Sequence, residues 1–79
     1  MVAIPALEDV VAVWRDVLRL SDADEDVSFL EHGGTSLTAV RIRAALQRQL
    51  ALDVDVSALV DNPSPLMLVE YLEDTEGVG

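Results

Sequence analysis

Leu7, Val10, Val11, Trp14, Val17 and Leu18 recur at helical spacing, and this stripe constrains the fold more than any other feature of the chain. Apolar residues three and four apart line one side of an α-helix. Glu8, Asp9, Arg15 and Asp16 take the other side, so residues 6–20 are expected to form an amphipathic helix. Glu8 and Asp9 then sit near the positive end of its dipole. A chain of 79 residues with no cysteine has neither a disulfide nor a thiolate metal site to brace it. Its stability must come from helices packed on one another, which a hydrophobic content of 51% permits. With one Trp, one Tyr and one Phe, the core has to be aliphatic.

After Leu20 the periodicity stops. "SDADEDVSF" opens a long loop that runs to Thr35, with Phe29 and Leu30 expected to pin it to the core. A second helix is expected over residues 36–50, following the stretch "EHGGTSLTAV". Gly33 and Gly34 permit backbone angles that a Cβ resists, and Thr35 or Ser36 can cap the first turn. This helix is apolar on two sides. Ala39, Ile42, Leu46 and Leu50 form one stripe, while Leu37, Val40 and Ala44 form another, flanked by Arg41 and Arg48. In so small a domain the second stripe is either core or a face for a partner. "DVDVSALV" reads as a short third helix capped by Asp55, and "DNPSPLMLVEYLED" contains a fourth, with Ser64 as cap and Pro65 in its first position. The fourth is apolar nearly all round apart from Glu70, so it should lie deep. The ends, near 1–5 and 75–79, should fray. No repeat and no strand pattern is present, so the expected fold is all-α: one domain over residues 1–79, a four-helix bundle of three longer helices and one short one.

Charge narrows the function. The formal charge of −10 argues against nucleic acid, whose phosphates would repel the chain. Between His32 and Leu52, however, there are three arginines and no carboxylate, so the remainder carries −13. No apolar run approaches the ~20 residues of a membrane span, and the N-terminus lacks the pattern of a signal peptide. A soluble, monomeric, cytoplasmic protein is expected.

Three chemistries compete for the "GGTSL" stretch and its surroundings. Ser36, His32 and Glu31 supply the residue types of a nucleophilic triad, but they lie too close in sequence, at a turn without a strand platform, and "GGTSL" lacks the second glycine of a nucleophile elbow. Enzyme activity and a catalytic residue are therefore not expected. Asp22, Asp24 and Asp26 match the first three ligand positions of a calcium loop, yet Val27 and Gly33 stand where glycine and glutamate are required, so no metal site is expected. The third chemistry is modification of Ser36 by another enzyme. A hydroxyl at the first turn of a helix is accessible to a foreign active site, and a phosphodiester formed there would face the positive end of the helix dipole.

"FLEHGGTSLTAVRI" resembles the signature of phosphopantetheine-dependent carrier proteins, above all the peptidyl carrier (thiolation) domains of nonribosomal peptide synthesis. The resemblance extends through "VWRDVL" before it and "LVDNPSPLMLVEYL" after it. It implies an acyl-carrier-protein-like bundle in which Ser36 receives 4′-phosphopantetheine from coenzyme A, the arm's thiol then holding an acyl group as a thioester. It further implies a phosphopantetheinyl transferase, an adenylation (loading) enzyme and condensation or tailoring enzymes as partners. Leu37, Val40, Arg41, Ala44 and Arg48 would form the recognition face.

Two positions depart from the family pattern: His32 stands where leucine is common, and Val60 where phenylalanine is usual. Thr35 replaces the aspartate that precedes the serine in most acyl carriers, and the second helix is cationic; both features point to the peptidyl type. "SLTAVRIRAAL" and "NPSPLMLVEYL" also look like polyketide acyl carriers, which stays open as an alternative, as does an unmodified helical docking module. The lack of long linkers leans toward a free-standing protein.

Overall fold

The computed structural model describes residues 4–32 and 34–77, and they are helical throughout their regular parts. α1 spans Leu7–Leu18, α2 Ser36–Leu50, α3 Val56–Asp61 and α4 Pro65–Gly77. A single 3₁₀ turn, Phe29–Glu31, interrupts the long connection between α1 and α2. Among the described residues there is no strand, and no helix is long and apolar enough to cross a membrane.

α1 stops two residues before the sequence suggests. Arg19 turns left-handed (φ 57°), and the N–H groups of Arg19 and Leu20 both return to the Arg15 carbonyl. Another helical turn would carry Ser21, seven residues after Trp14, to the core side. The stripe itself needs one amendment. Val10, Val13 and Trp14 are its fully buried members, whereas Val11 is only half-buried.

α2 buries Ala39, Ile42, Ala45 and Leu46, and Leu50 packs at the edge of the core. It also ends on a left-handed residue, Ala51 (φ 53°), after which Leu52 and Val54 turn inward. Asp55 occupies the cap position of α3, but its side chain makes no capping hydrogen bond. Ser64 does cap: its Oγ accepts from the Met67 N–H at 3.2 Å, and Pro65 follows in the first helical position. α4 is less deeply placed than its composition suggests. Leu68, Val69 and Leu72 are buried, but Met67 (43% exposed) and Tyr71 face outward with Glu70. Apolar content predicts burial only when neighbours cover both sides, and α4 packs mainly on α1. α4 is still helical at residues 75–77, within the stretch expected to fray; residues 78 and 79, like residues 1–3, lie outside the described part.

One acceptor joins the pieces. The Pro63 carbonyl, in the link between α3 and α4, receives the indole N–H of Trp14 at 2.8 Å and the backbone N–H of Phe29 at 3.1 Å. Trp14 and Phe29 are both fully buried. Trp14→Ala therefore removes the largest core side chain and one of two donors to this carbonyl. A loss of about 3–5 kcal/mol is expected, a large share of what a small domain has. Circular dichroism at room temperature should show a chain largely unfolded, and a cooperative melt near that of the parent would place the core elsewhere.

Candidate functional site

The connection from α1 to α2 decides where Ser36 stands. Beyond the Phe29–Pro63 bond, the Leu66 N–H donates to the Glu25 carbonyl at 2.9 Å, fastening the same loop to the first turn of α4. Ser28 Oγ accepts from the Leu30 N–H and starts the 3₁₀ turn. Phe29 then anchors it, but Leu30 does not share that role, being 48% exposed. His32 closes the turn, is exposed, and makes no hydrogen bond to Ser36 among the described residues.

Gly34 is required for a different reason from the one its type suggests. Its φ is not in the left-handed range. Instead, a Cβ there would lie 2.5 Å from the Leu30 Cα, 2.6 Å from the Phe29 carbonyl carbon, and closer still to the Phe29 carbonyl oxygen. All three are backbone atoms, so no rotamer change relieves the clash. The glycine lets the chain pass against the 3₁₀ turn immediately before α2. Gly33 lies outside the described residues.

Thr35 is the N-cap of α2, extended at φ −128°, and Ser36 is the first helical residue. Thr35 and Thr38 face each other as a capping box. Its hydrogen-bonded half is the Thr35 N–H donating to Thr38 Oγ1 at 3.5 Å, a long bond at an exposed site. The first backbone bond of the helix is from the Ala39 N–H to the Thr35 carbonyl at 3.2 Å. The N–H groups of Ser36 and Leu37 thus precede the helical ladder, and with the helix dipole they favour negative charge at this end. Ser36 is exposed. A hollow of about 820 Å³ between the start of α1 and residues 23–26 does not include Ser36 in its lining.

The two stripes of α2 separate cleanly. Leu37 (60% exposed), Val40 (48% exposed), Arg41, Ala44 and Arg48 lie on the outside, opposite the buried Ala39, Ile42 and Leu46. Val40 is therefore not core. Val60, one of the two departures from the family pattern, is also on the surface. Ala45, absent from either sequence stripe, is buried; it lies three residues after Ile42, at the edge of the same face. Arg19 escapes sequence reasoning because it falls outside α2, although the structure sets it across a hollow from Arg41 and Arg48.

Comparison with known proteins bears on the domain as a whole. A family model described as "Phosphopantetheine attachment site" matches residues 8–72, which contain Ser36 and the whole loop before it. Bacitracin synthase 1 of Bacillus licheniformis is 30% identical over 64 residues, 81% of this chain. The nonribosomal peptide synthetase asaC of Aspergillus flavus is 30% identical over 61 residues, 77% of this chain. The match spans 1% of the bacterial relative's own length and 6% of the fungal one's. Among solved structures, BlmI, a type-II acyl-carrier protein from Streptomyces verticillus involved in bleomycin biosynthesis, superposes with a TM-score of 0.74 at 17% identity. That superposition covers 87% of this chain and 83% of BlmI, and it establishes the shared four-helix fold.

Gly34→Ala should displace the 3₁₀ turn or the start of α2, at a cost of about 1–3 kcal/mol for forced overpacking. In a thermal melt this is a fall of several degrees. An unchanged melting temperature would show that the loop can retreat freely from Gly34.

Proposed function

Because the chain belongs to the family of phosphopantetheine-attachment domains, we propose that it is a carrier domain of the peptidyl type and that Ser36 is the residue carrying the arm. The observation that supports this most is the placement of Ser36: exposed, first in its helix, and beside N–H groups not yet spent on the helical ladder. The 4′-phosphopantetheine arm of this family supplies a terminal thiol, on which an aminoacyl or peptidyl group is held as a thioester. The chain's own residues have narrower duties. Ser36 Oγ provides the attachment oxygen, and the modifying transferase provides the base that takes its proton. The Ser36 and Leu37 N–H groups stabilise the negative charge of the ester. Gly34 and the Phe29–Pro63 bond hold the helix start in place, so that the hydroxyl is presented in one position rather than on a wandering loop.

The peptidyl assignment rests on Thr35 before the serine, on the cationic second helix, and on the names of the relatives, one of which is a nonribosomal peptide synthetase. The partners that follow are a phosphopantetheinyl transferase, an adenylation enzyme that loads the thiol, and condensation or tailoring enzymes that use the thioester. Leu37, Val40 and Ala44 are the apolar contacts these partners share, with Arg41 and Arg48 at the margin.

Two measurements test this reading. Ser36→Ala should keep the helical circular dichroism of the parent yet take up no phosphopantetheine, by intact mass, from coenzyme A and a promiscuous transferase; modification persisting on Thr35 or Thr38 would refute the assignment. Val40→Asp should leave the melt within a few degrees of the parent, since the side chain is half in solvent. It should slow transfer to or from partner enzymes about tenfold or more, as loss of a central apolar contact does. A variant that loads and unloads normally would remove Val40 from the recognition face.

A further inference from the structure

The chain has five cations, all arginine, against fifteen carboxylates. With carboxylates in threefold excess, arginines on a folded surface find partners easily. Among the described residues, however, the ion pair present is Arg43–Asp53 at 3.7 Å, joining an exposed position of α2 to the segment that follows it. Three of the others, Arg19, Arg41 and Arg48, line one hollow with Asp16, Val17 and Ala44, where the end of α1 meets the outer side of α2. Asp16 is the lone carboxylate of that hollow. Its Oδ2 accepts from Gln49 Nε2 at 3.2 Å instead of pairing with an arginine. Three guanidinium groups and one carboxylate leave the hollow at +2, on a protein whose formal charge is −10.

Helix dipoles account for part of this. Arg19 follows the last turn of α1 and Arg48 is in the last turn of α2, where cations are favoured. Arg41 has no such reason, since it sits in the half of α2 nearer the positive end. Gathering like charges without internal partners is mildly unfavourable, and their common direction points to an external anion. At about 290 Å³ the hollow is at the lower limit of pockets that engulf a small ligand, and Val17 and Ala44 supply it with apolar surface. Val40 and Leu37, four and seven residues before Ala44 and so on the same side of α2, are exposed as well, which gives the apolar centre and charged rim of a protein interface.

We infer that the outer side of α2, extended by Arg19 of α1, docks a protein surface rich in Asp and Glu around a small apolar contact. This rests on the carrier reading for its biological setting but not for its chemistry. The guanidinium groups would take carboxylates in paired, planar hydrogen bonds. A basic partner surface would be repelled, so the charge sign selects partners as well as attracting them.

The test uses the whole chain, labelled with ¹⁵N, and two synthetic amphipathic helical peptides. One flanks a Leu/Ala face with three glutamates; its twin carries lysines instead. The acidic peptide should shift the amide resonances of Arg19, Arg41, Ala44 and Arg48 and bind about tenfold more tightly than the twin at low salt. The difference should shrink at high ionic strength. Arg19→Gln and Arg41→Gln should each reduce the preference, while Arg43→Gln, away from the hollow, should leave it. Equal binding of the two peptides, or shifts confined to other surfaces, would overturn the inference. So would inorganic pyrophosphate saturating the same resonances more tightly than the acidic peptide, which would make the hollow a small-anion site. Phosphopantetheine uptake, scored separately by intact mass on the parent chain, keeps the two readings apart. A chain that is modified but shows no charge preference loses this inference alone. One that prefers the acidic peptide yet is never modified loses the carrier reading alone.

Discussion

The carbonyl oxygen of Pro63 is the point through which the rest of the structure is coupled. Its two acceptor directions are both used, by the indole of Trp14 and by the backbone N–H of Phe29. These donors come from α1 and from the loop before α2, while the acceptor belongs to the link between α3 and α4. A long connection would otherwise be free to wander. Here it is held at Phe29, then tightened by Gly34 passing against the same turn, and so the start of α2 has a defined place. The position of one exposed serine thus depends on a part-buried contact between residues 49 apart in sequence.

Much of this was legible in the chain. The stripe from Leu7 to Leu18, the Ser64–Pro65 start of α4 and the two sides of α2 follow from helical period and capping chemistry, which are local properties. The same locality marks where reading fails. Val13 and Ala45 are buried although neither belongs to the stripes named from the sequence; each lies three residues from a buried partner, Val10 and Ile42, so helical period admitted them and packing decided how wide each buried face is. Tyr71 and Met67 are apolar yet exposed because α4 has a neighbour on one side and water on the other. Gly34 was visible as a glycine, but its reason was not: close approach to another segment is a tertiary fact, whereas a left-handed turn is a local one. The Trp14–Pro63 bond left no trace in the sequence at all.

The site divides along the same line. Ser36 is proposed from "GGTSL" and its flanking helices, and the family match over residues 8–72 includes that position. Arg19 could not be joined to Arg41 and Arg48 from sequence, because 22 and more positions separate it from them and only the packing of α1 on α2 closes the gap. The net charge of the chain says little about this surface. A strongly acidic protein presents a cationic hollow, and the local sign is the one a partner meets first.

Trp14 is the sole tryptophan of the chain, and its ring is fully enclosed while its N–H is engaged. The protein consequently contains its own optical probe, set at the contact that holds the loop. An enclosed indole emits at shorter wavelength than one in water. An event at the helix start that displaces the Pro63 carbonyl, which Phe29 and Trp14 share, and opens the ring to water would register as a red shift in emission, with no label attached and no second tryptophan to confuse the signal.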